Sequence, residues 1–187
     1  MTNQKRNLAL PLDLHALGRH PGEMIERHMN VPAPADLAVG MVGVPKGSPV
    51  DLSVTCQSVG DGVLVQGDAE VTLAGQCARC LADFEQPGRF ELQELYYYPG
   101  KGPDDAKDED EVLFVVDNVV DLDPVLRAAI VLNLPFSPLC SSDCAGLCPV
   151  CGADLNDDPN HHHDEPVDTR WAKLKDVIPN NLSDQVQ

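Results

Sequence analysis

Between Pro49 and Leu73 the chain alternates. Val50, Leu52, Val54 and Cys56 are apolar, while Asp51, Ser53, Thr55 and Gln57 stand between them. This period of two predicts a strand with one buried face. Gly60-Asp61-Gly62 predicts a turn. Val63 to Val65 and then Ala69, Val71 and Leu73 continue a meander, with Gly67-Asp68 reading as a further turn or a bulge. Phe84 to Tyr98 supplies the next strand. Upstream, Leu8, Leu10 and Leu12 predict a short strand, and Pro21 to Asn30 a brief helix that Val31-Pro-Ala-Pro34 breaks; β-structure resumes from Asp36. Downstream, Gly100 to Glu111 is a loop rich in Gly, Asp and Glu, and Val112 to Val116 reads as a short strand.

Asp123 with Pro124 marks a helix start, because Asp can cap free N–H groups and Pro fits the first turn. That helix runs through Leu132 and is apolar nearly all round, which predicts deep burial. Pro135 and Pro138 end it. After an irregular stretch of Asp, His and Pro, Asp168 predicts the cap of a final helix. Its Trp171, Leu174 and Ile178 share one face, as if to dock onto the body. No internal repeat is visible. The expected fold is α+β: mainly an antiparallel β-meander or partial barrel, with a buried helix and a zinc-knuckle C-terminal segment. Residues 1–139 would form the β-rich core domain and residues 140–187 a cysteine-rich segment with a docking helix.

Charge narrows the function. The 187 residues include 30 acidic and 13 basic ones, a formal charge of -17. Unaided nucleic-acid binding needs a basic face to meet phosphates, and Arg79, Arg89, Arg127 and Arg170 are too scattered to make one. A basic protein partner suits this chain better. The most apolar run, Val125 to Phe136, is interrupted by Arg127, Asn133 and Pro135 and is too short to span a bilayer. Met1 to His20 carries no apolar signal-peptide core. The expected location is the cytosol.

Six of the seven cysteines fall in pairs: Cys77 with Cys80, Cys140 with Cys144, and Cys148 with Cys151. Two pairs are C-x2-C and one is C-x3-C, spacings that let two thiolates meet one tetrahedral Zn2+ while backbone N–H groups point at the sulfurs. In a reducing compartment such spacing favours metal over disulfides. Three groupings are open. Cys77 and Cys80 could join Cys148 and Cys151, stapling the C-terminal segment to the sheet. Cys140, Cys144, Cys148 and Cys151 could form a local site. Two ions could bind, the second on Cys140, Cys144, His161 and His163. Loop closure favours the local site by only about 1.6 kcal/mol, against structural zinc binding on the order of 10 kcal/mol. The staple is the preferred expectation, and one ion or two would bind. Cys56 lies on the apolar face of its strand and reads as a core thiol. The plain reading of the histidine triplet is a solvated loop, and that of the acidic run Asp104 to Glu111 is the same.

Three features together resemble the YceD family of large ribosomal RNA subunit accumulation proteins. They are the strand-ending Cys77-Ala-Arg-Cys80-Leu81, the helix followed by Leu134-Pro135, and Gly146-Leu-Cys-Pro-Val-Cys-Gly-Ala-Asp-Leu-Asn156. Asp168-Thr-Arg-Trp-Ala-Lys-Leu174 is similar to the family's closing motif, with Thr169 where proline is expected. The resemblance implies a role in accumulation of large-subunit rRNA and assembly of the large ribosomal subunit. It also implies a partner: a small basic large-subunit ribosomal protein, whose gene often neighbours that of the family member, or the pre-50S particle. Whether rRNA is touched directly stays open. The long form of the family often carries a further Cys-x-Cys after the Leu-Asn; here His161-His162-His163 stands in that stretch.

No catalytic constellation accompanies the cysteines, so the expectation is a non-enzymatic protein. Two rival classes remain. A thiol redox enzyme could use Cys77 and Cys80, though the motif turns into a strand and not into a helix whose N-terminus would lower a thiol pKa. A zinc module could bind nucleic acid, against the charge.

Overall fold

In a computed structural model the described residues are 8–103 and 112–163. Eight strands and one helix follow in order: β1 (Pro11–Asp13), β2 (Met24–Pro32), β3 (Ala38–Val39), β4 (Val42–Gly43), β5 (Pro49–Val59), β6 (Gly62–Gln76), β7 (Asp83–Tyr97), β8 (Val119–Asp121) and α1 (Asp123–Val131). Among the described residues the fold is mainly antiparallel β-sheet with one short helix. The chain divides into two compact units, Met1–Cys144 and Ala145–Gln187, so Cys140 and Cys144 belong with the sheet.

The fifteen-residue β6 is the axis of the six-stranded sheet. Along one edge it pairs with β7 over its whole length, from Gly62↔Tyr97 to Gln76↔Asp83. Its other edge is shared between β5, from Gly62 to Glu70, and β4, at Ala74 and Gly75. β2 continues the sheet beyond β5, and β1 pairs with β8 in a separate two-stranded sheet. Among the described residues the order β2-β5-β6 ends in β7 on the far side without closing, so the sheet is no barrel.

The alternation of β5 is realised: Val50, Leu52, Val54 and Cys56 point into the core. So is the turn, a two-residue Gly60-Asp61 loop between Val59 and Gly62. The expected break at Gly67-Asp68 is absent. Val63, Val65, Ala69, Val71 and Leu73 stay buried in one unbroken phase, whereas a bulge would have shifted that phase by one residue. Gly67 serves the pairing instead, since a Cβ there would strike the Ser53 carbonyl.

Three further expectations are corrected. Pro21 to Asn30 does not form a helix: Met24 to Pro32 is β2, in register with β5 from Met24↔Gln57 to Pro32↔Pro49. Its pattern was masked because Arg27 occupies an inward position between Ile25 and Met29, and cross-strand packing decided the conformation. Val112 to Val116 forms only the isolated bridges Tyr97↔Phe114 and Val116↔Val119, while the unforeseen β8 does the pairing with Leu12. Helix α1 buries one face, through Val125, Leu126 and Ile130, and leaves Leu132 80% exposed at its C-cap. Its N-cap is Leu122, without a side-chain cap; Asp123 lies in the first turn. The Asp121 carboxylate replaces the expected cap, accepting the N–H groups of Asp123, Leu10 and Ala9.

The core gathers the inner faces of β5, β6 and β7 with α1, Leu12, Val120, Leu122 and Leu134. Burying Leu126 and Ile130 contributes roughly 1.5–3 kcal/mol each. The buried Tyr96 hydroxyl donates to the Asp121 carbonyl at 2.7 Å, tying β7 to the strand before the helix. Among the described residues no helix is long and apolar enough to cross a membrane. The acidic run Asp104 to Glu111 and the expected helix of Trp171, Leu174 and Ile178 lie outside the described residues.

Candidate metal centres

The Cys77–Cys80 turn joins β6 to β7. Register fixes where it sits, because Gln76↔Asp83 is the last pair and six residues remain to reverse the chain. Leu81 closes the turn with φ of 61°, its N–H donating to the Cys77 carbonyl at 3.0 Å, and the Cys77 N–H reaches the Ala82 carbonyl at 2.9 Å. This geometry aims the Arg79 N–H at the Cys77 sulfur, 3.4 Å away.

The second arm comes from beyond α1. Pro138 is buried, and its carbonyl accepts the Ala78 N–H at 2.8 Å. Arg79 Nη1 donates to the Cys144 carbonyl at 2.8 Å. These bonds hold Cys140 and Cys144 against the turn. Cys77 Sγ and Cys144 Sγ are 3.7 Å apart, and Cys80 Sγ and Cys140 Sγ 3.6 Å. Four thiolates around a Zn2+ at Zn–S of about 2.3 Å would have edges of about 3.75 Å. These two edges match that tetrahedron.

The second unit repeats the turn. Cys148 N–H donates to the Ala153 carbonyl at 2.8 Å, and Gly152 N–H to the Cys148 carbonyl at 2.8 Å. The Val150 N–H lies 3.4 Å from the Cys148 sulfur. Gly152, with φ of 76°, takes the place that Leu81 takes in the first turn. A bridge between Leu147 and Asp154 and a bond from Leu155 N–H to the Gly146 carbonyl flank it. His161 and His163 complete this group: each Nε2 is 3.2 Å from Cys151 Sγ, and the two Nε2 atoms are 2.9 Å apart. His161 Nδ1 lies 3.7 Å from the Asp158 carboxylate.

The ligand atoms of each group of four lie within 4.8 Å of one another. All eight candidate residues are therefore used, in a partition different from the expected ones. Cys77 and Cys80 converge with Cys140 and Cys144, and Cys148 and Cys151 with His161 and His163. The preferred staple and the local four-cysteine site are both set aside, and the histidines keep company with the C-x2-C pair and not with Cys140 and Cys144. Arg79 and Pro138 carry supporting roles that spacing could not reveal, because each depends on a contact outside its motif.

The charge state of the sulfurs suits a cation. N–H groups of Cys80, Cys140 and Arg79 hold the Cys77 thiol down at about 6, and those of Cys151 and Val150 do the same for Cys148. Contact with the sulfurs of Cys80 and Cys144, added to burial, pushes Cys140 up to about 12. Cys80 is raised as well, since burial and Cys77 outweigh the pull of the Ala82 N–H. A divalent cation between the sulfurs would favour their thiolate forms. Cys56 belongs to neither group and is a core thiol, pushed up to about 11 by burial.

The profile of a family described as "Large ribosomal RNA subunit accumulation protein YceD" matches residues 65–177. The chain is 42% identical over 176 residues to the uncharacterized protein Rv2926c of Mycobacterium tuberculosis, covering 93% of this chain and 84% of that one. It is 36% identical to the uncharacterized protein ML1660 of Mycobacterium leprae, over 93% of this chain and 81% of the other. It is also 28% identical to the uncharacterized protein YlbN of Bacillus subtilis, over 58% of this chain and 64% of that protein. No solved structure matches it.

Proposed function

Because the chain belongs to the YceD family of large ribosomal RNA subunit accumulation proteins, we propose that it is a non-enzymatic assembly factor. It promotes accumulation of large-subunit rRNA and assembly of the large ribosomal subunit in the cytoplasm. Its partner is a basic large-subunit ribosomal protein or the pre-50S particle that contains one. Family membership carries this reading, and the formal charge of -17 supports the choice of partner. An acidic chain attracts a basic protein over a Debye length and leaves rRNA phosphate to others.

Zn2+ at each centre is a structural part of this reading. Cys77, Cys80, Cys140 and Cys144 would hold one ion, and Cys148, Cys151, His161 and His163 the other. Four protein ligands leave no open position for substrate, which is the arrangement of structural and not catalytic zinc. What the ion supplies is cross-linking: at the first centre it would join the β6–β7 turn to the segment that follows α1.

The test is capture of partners by the tagged full-length chain from its native cell at low salt, with and without RNase. Large-subunit proteins or precursor rRNA should be enriched, and RNase-resistant protein would mark a direct protein contact. Complete absence of ribosomal components would sink the reading. A rival, a thiol redox protein, draws on the lowered Cys77 thiol. It requires disulfide-reductase activity that disappears in Cys77→Ser.

A further inference from the structure

The two centres differ in what an oxidant can reach. At the first, Cys77, Cys80 and Cys144 are buried and Cys140 is half-buried. At the second, Cys151 and His163 are exposed, and only Cys148 is buried. The donor sets differ too. The first centre has four sulfurs, with Cys77 close to Cys144 and Cys80 close to Cys140, across separate segments. The second has two sulfurs in one turn, within 4.8 Å of each other, so a bond between them would form inside that turn. Once both are oxidised, two imidazoles remain, and they hold a divalent ion poorly by themselves.

We propose that the second centre is also a peroxide-reactive site: a hydroperoxide oxidises Cys151, Cys148 closes a disulfide onto it, and the bound divalent ion is released while the first centre keeps its own. The proposal rests on the two-ion reading given above. The steps balance with hydrogen peroxide as the two-electron oxidant. The Cys151 thiolate attacks one peroxide oxygen and the O–O bond breaks. The second oxygen leaves as hydroxide and takes a proton to become water, and the sulfur becomes a sulfenic acid. The Cys148 thiolate then attacks that sulfur. The S–O bond breaks, hydroxide leaves and is protonated to a second water, and the disulfide remains. Exposed cysteine with a resolving neighbour is the arrangement in which such oxidation is selective. The device would let an oxidising episode empty the second centre and leave the first one filled.

The experiment uses the full chain loaded with zinc, counted by elemental analysis, then titrated with hydrogen peroxide in the presence of a metal-indicator dye. Two ions per chain should be present at the start, and one should leave in a distinct early phase. A peptide mass map taken at the end of that phase should contain a Cys148–Cys151 disulfide and reduced Cys77, Cys80, Cys140 and Cys144. In Cys151→His an imidazole can replace the thiolate as ligand but cannot be bridged, so two ions should bind and the early phase should vanish. Should that variant hold one ion only, the disulfide map of the unaltered protein decides. Two ions leaving together, the first centre emptying first, or early release without the Cys148–Cys151 disulfide would each overturn the proposal and leave the metal reading standing. Fewer than two ions before peroxide would overturn both.

Discussion

The turns at Cys77 and Cys148 are the same object in two settings. Position by position they match: cysteine, two residues, cysteine, a residue of positive φ, then alanine whose carbonyl accepts the first cysteine's N–H. Both lower the first thiol to about 6 by aiming backbone N–H groups at it. Six residues thus suffice to prepare two ligands, and that part is local. What surrounds each turn is not local. The first is the end of two fifteen-residue strands and receives its other ligands from a segment anchored by Pro138. The second finds its partners within a dozen residues, on His161 and His163. One centre ties together distant parts of the chain, and the other organises its own neighbourhood. Their consequences for stability should therefore differ widely.

The largest effect expected is the contrast between Cys80→Ser and Cys151→Ser. Each should cost one zinc ion per chain by elemental analysis. Cys80→Ser should also lower the melting temperature of the β-sheet unit by at least about 10 °C, because removal of structural zinc forfeits several kcal/mol. Cys151→Ser should leave that transition within about 2 °C of its original value. Equal melting shifts would break the distinction between a long-range and a local centre. Excess chelator should reproduce the Cys80→Ser shift in the unaltered protein.

A smaller contrast lies at the third position of each turn. Arg79 donates from Nη1 to the Cys144 carbonyl, joining the two arms of the first centre. Its counterpart Val150 is 68% exposed. Arg79→Ala should destabilise by about 1 kcal/mol, because the bond is charge-assisted but its side chain is open to water. Val150→Ala should stay within about 0.5 kcal/mol. Denaturant melts of the two variants measure both, and a silent Arg79→Ala would show that the thiols alone hold the arms together.

This difference also explains what the sequence revealed. The six-residue turns were legible from cysteine spacing, and the β5 alternation from Val50 to Cys56 was legible because every inward position is apolar. β2 was hidden because Arg27 takes an inward place and Pro21 with Gly22 mimics a helix entry; only pairing with Val54 and Leu52 makes it a strand. The partition of ligands was hidden for the same kind of reason. Nothing in the motif of Cys140 and Cys144 says that Pro138 delivers them to the β6–β7 turn. The histidines were legible as candidate ligands, because His161-x-His163 keeps the spacing of the Cys-x-Cys it replaces and imidazole suits the same ion; only their pairing with Cys148 and Cys151 was hidden. Local geometry was readable, and contacts made between distant segments were not.

The smallest effect concerns the residue after the second cysteine. Both turns need a left-handed backbone there, and glycine supplies it at no steric cost while an L-residue is strained by about 1–2 kcal/mol. The second turn uses Gly152, and the first uses Leu81, which is 52% exposed. Leu81→Gly should relieve the strain and stabilise the sheet unit, although glycine's freer unfolded chain takes back part of the gain. The net is about 0.5–1 kcal/mol. Gly152→Ala should destabilise the second turn by about 1 kcal/mol and weaken zinc binding there by roughly fivefold. Denaturant melts read the first change, and competition with a chelator of known affinity reads the second. If Leu81→Gly proved destabilising, the leucine would be making a contact worth more than the strain it bears, and the two turns would be less alike than their backbones are.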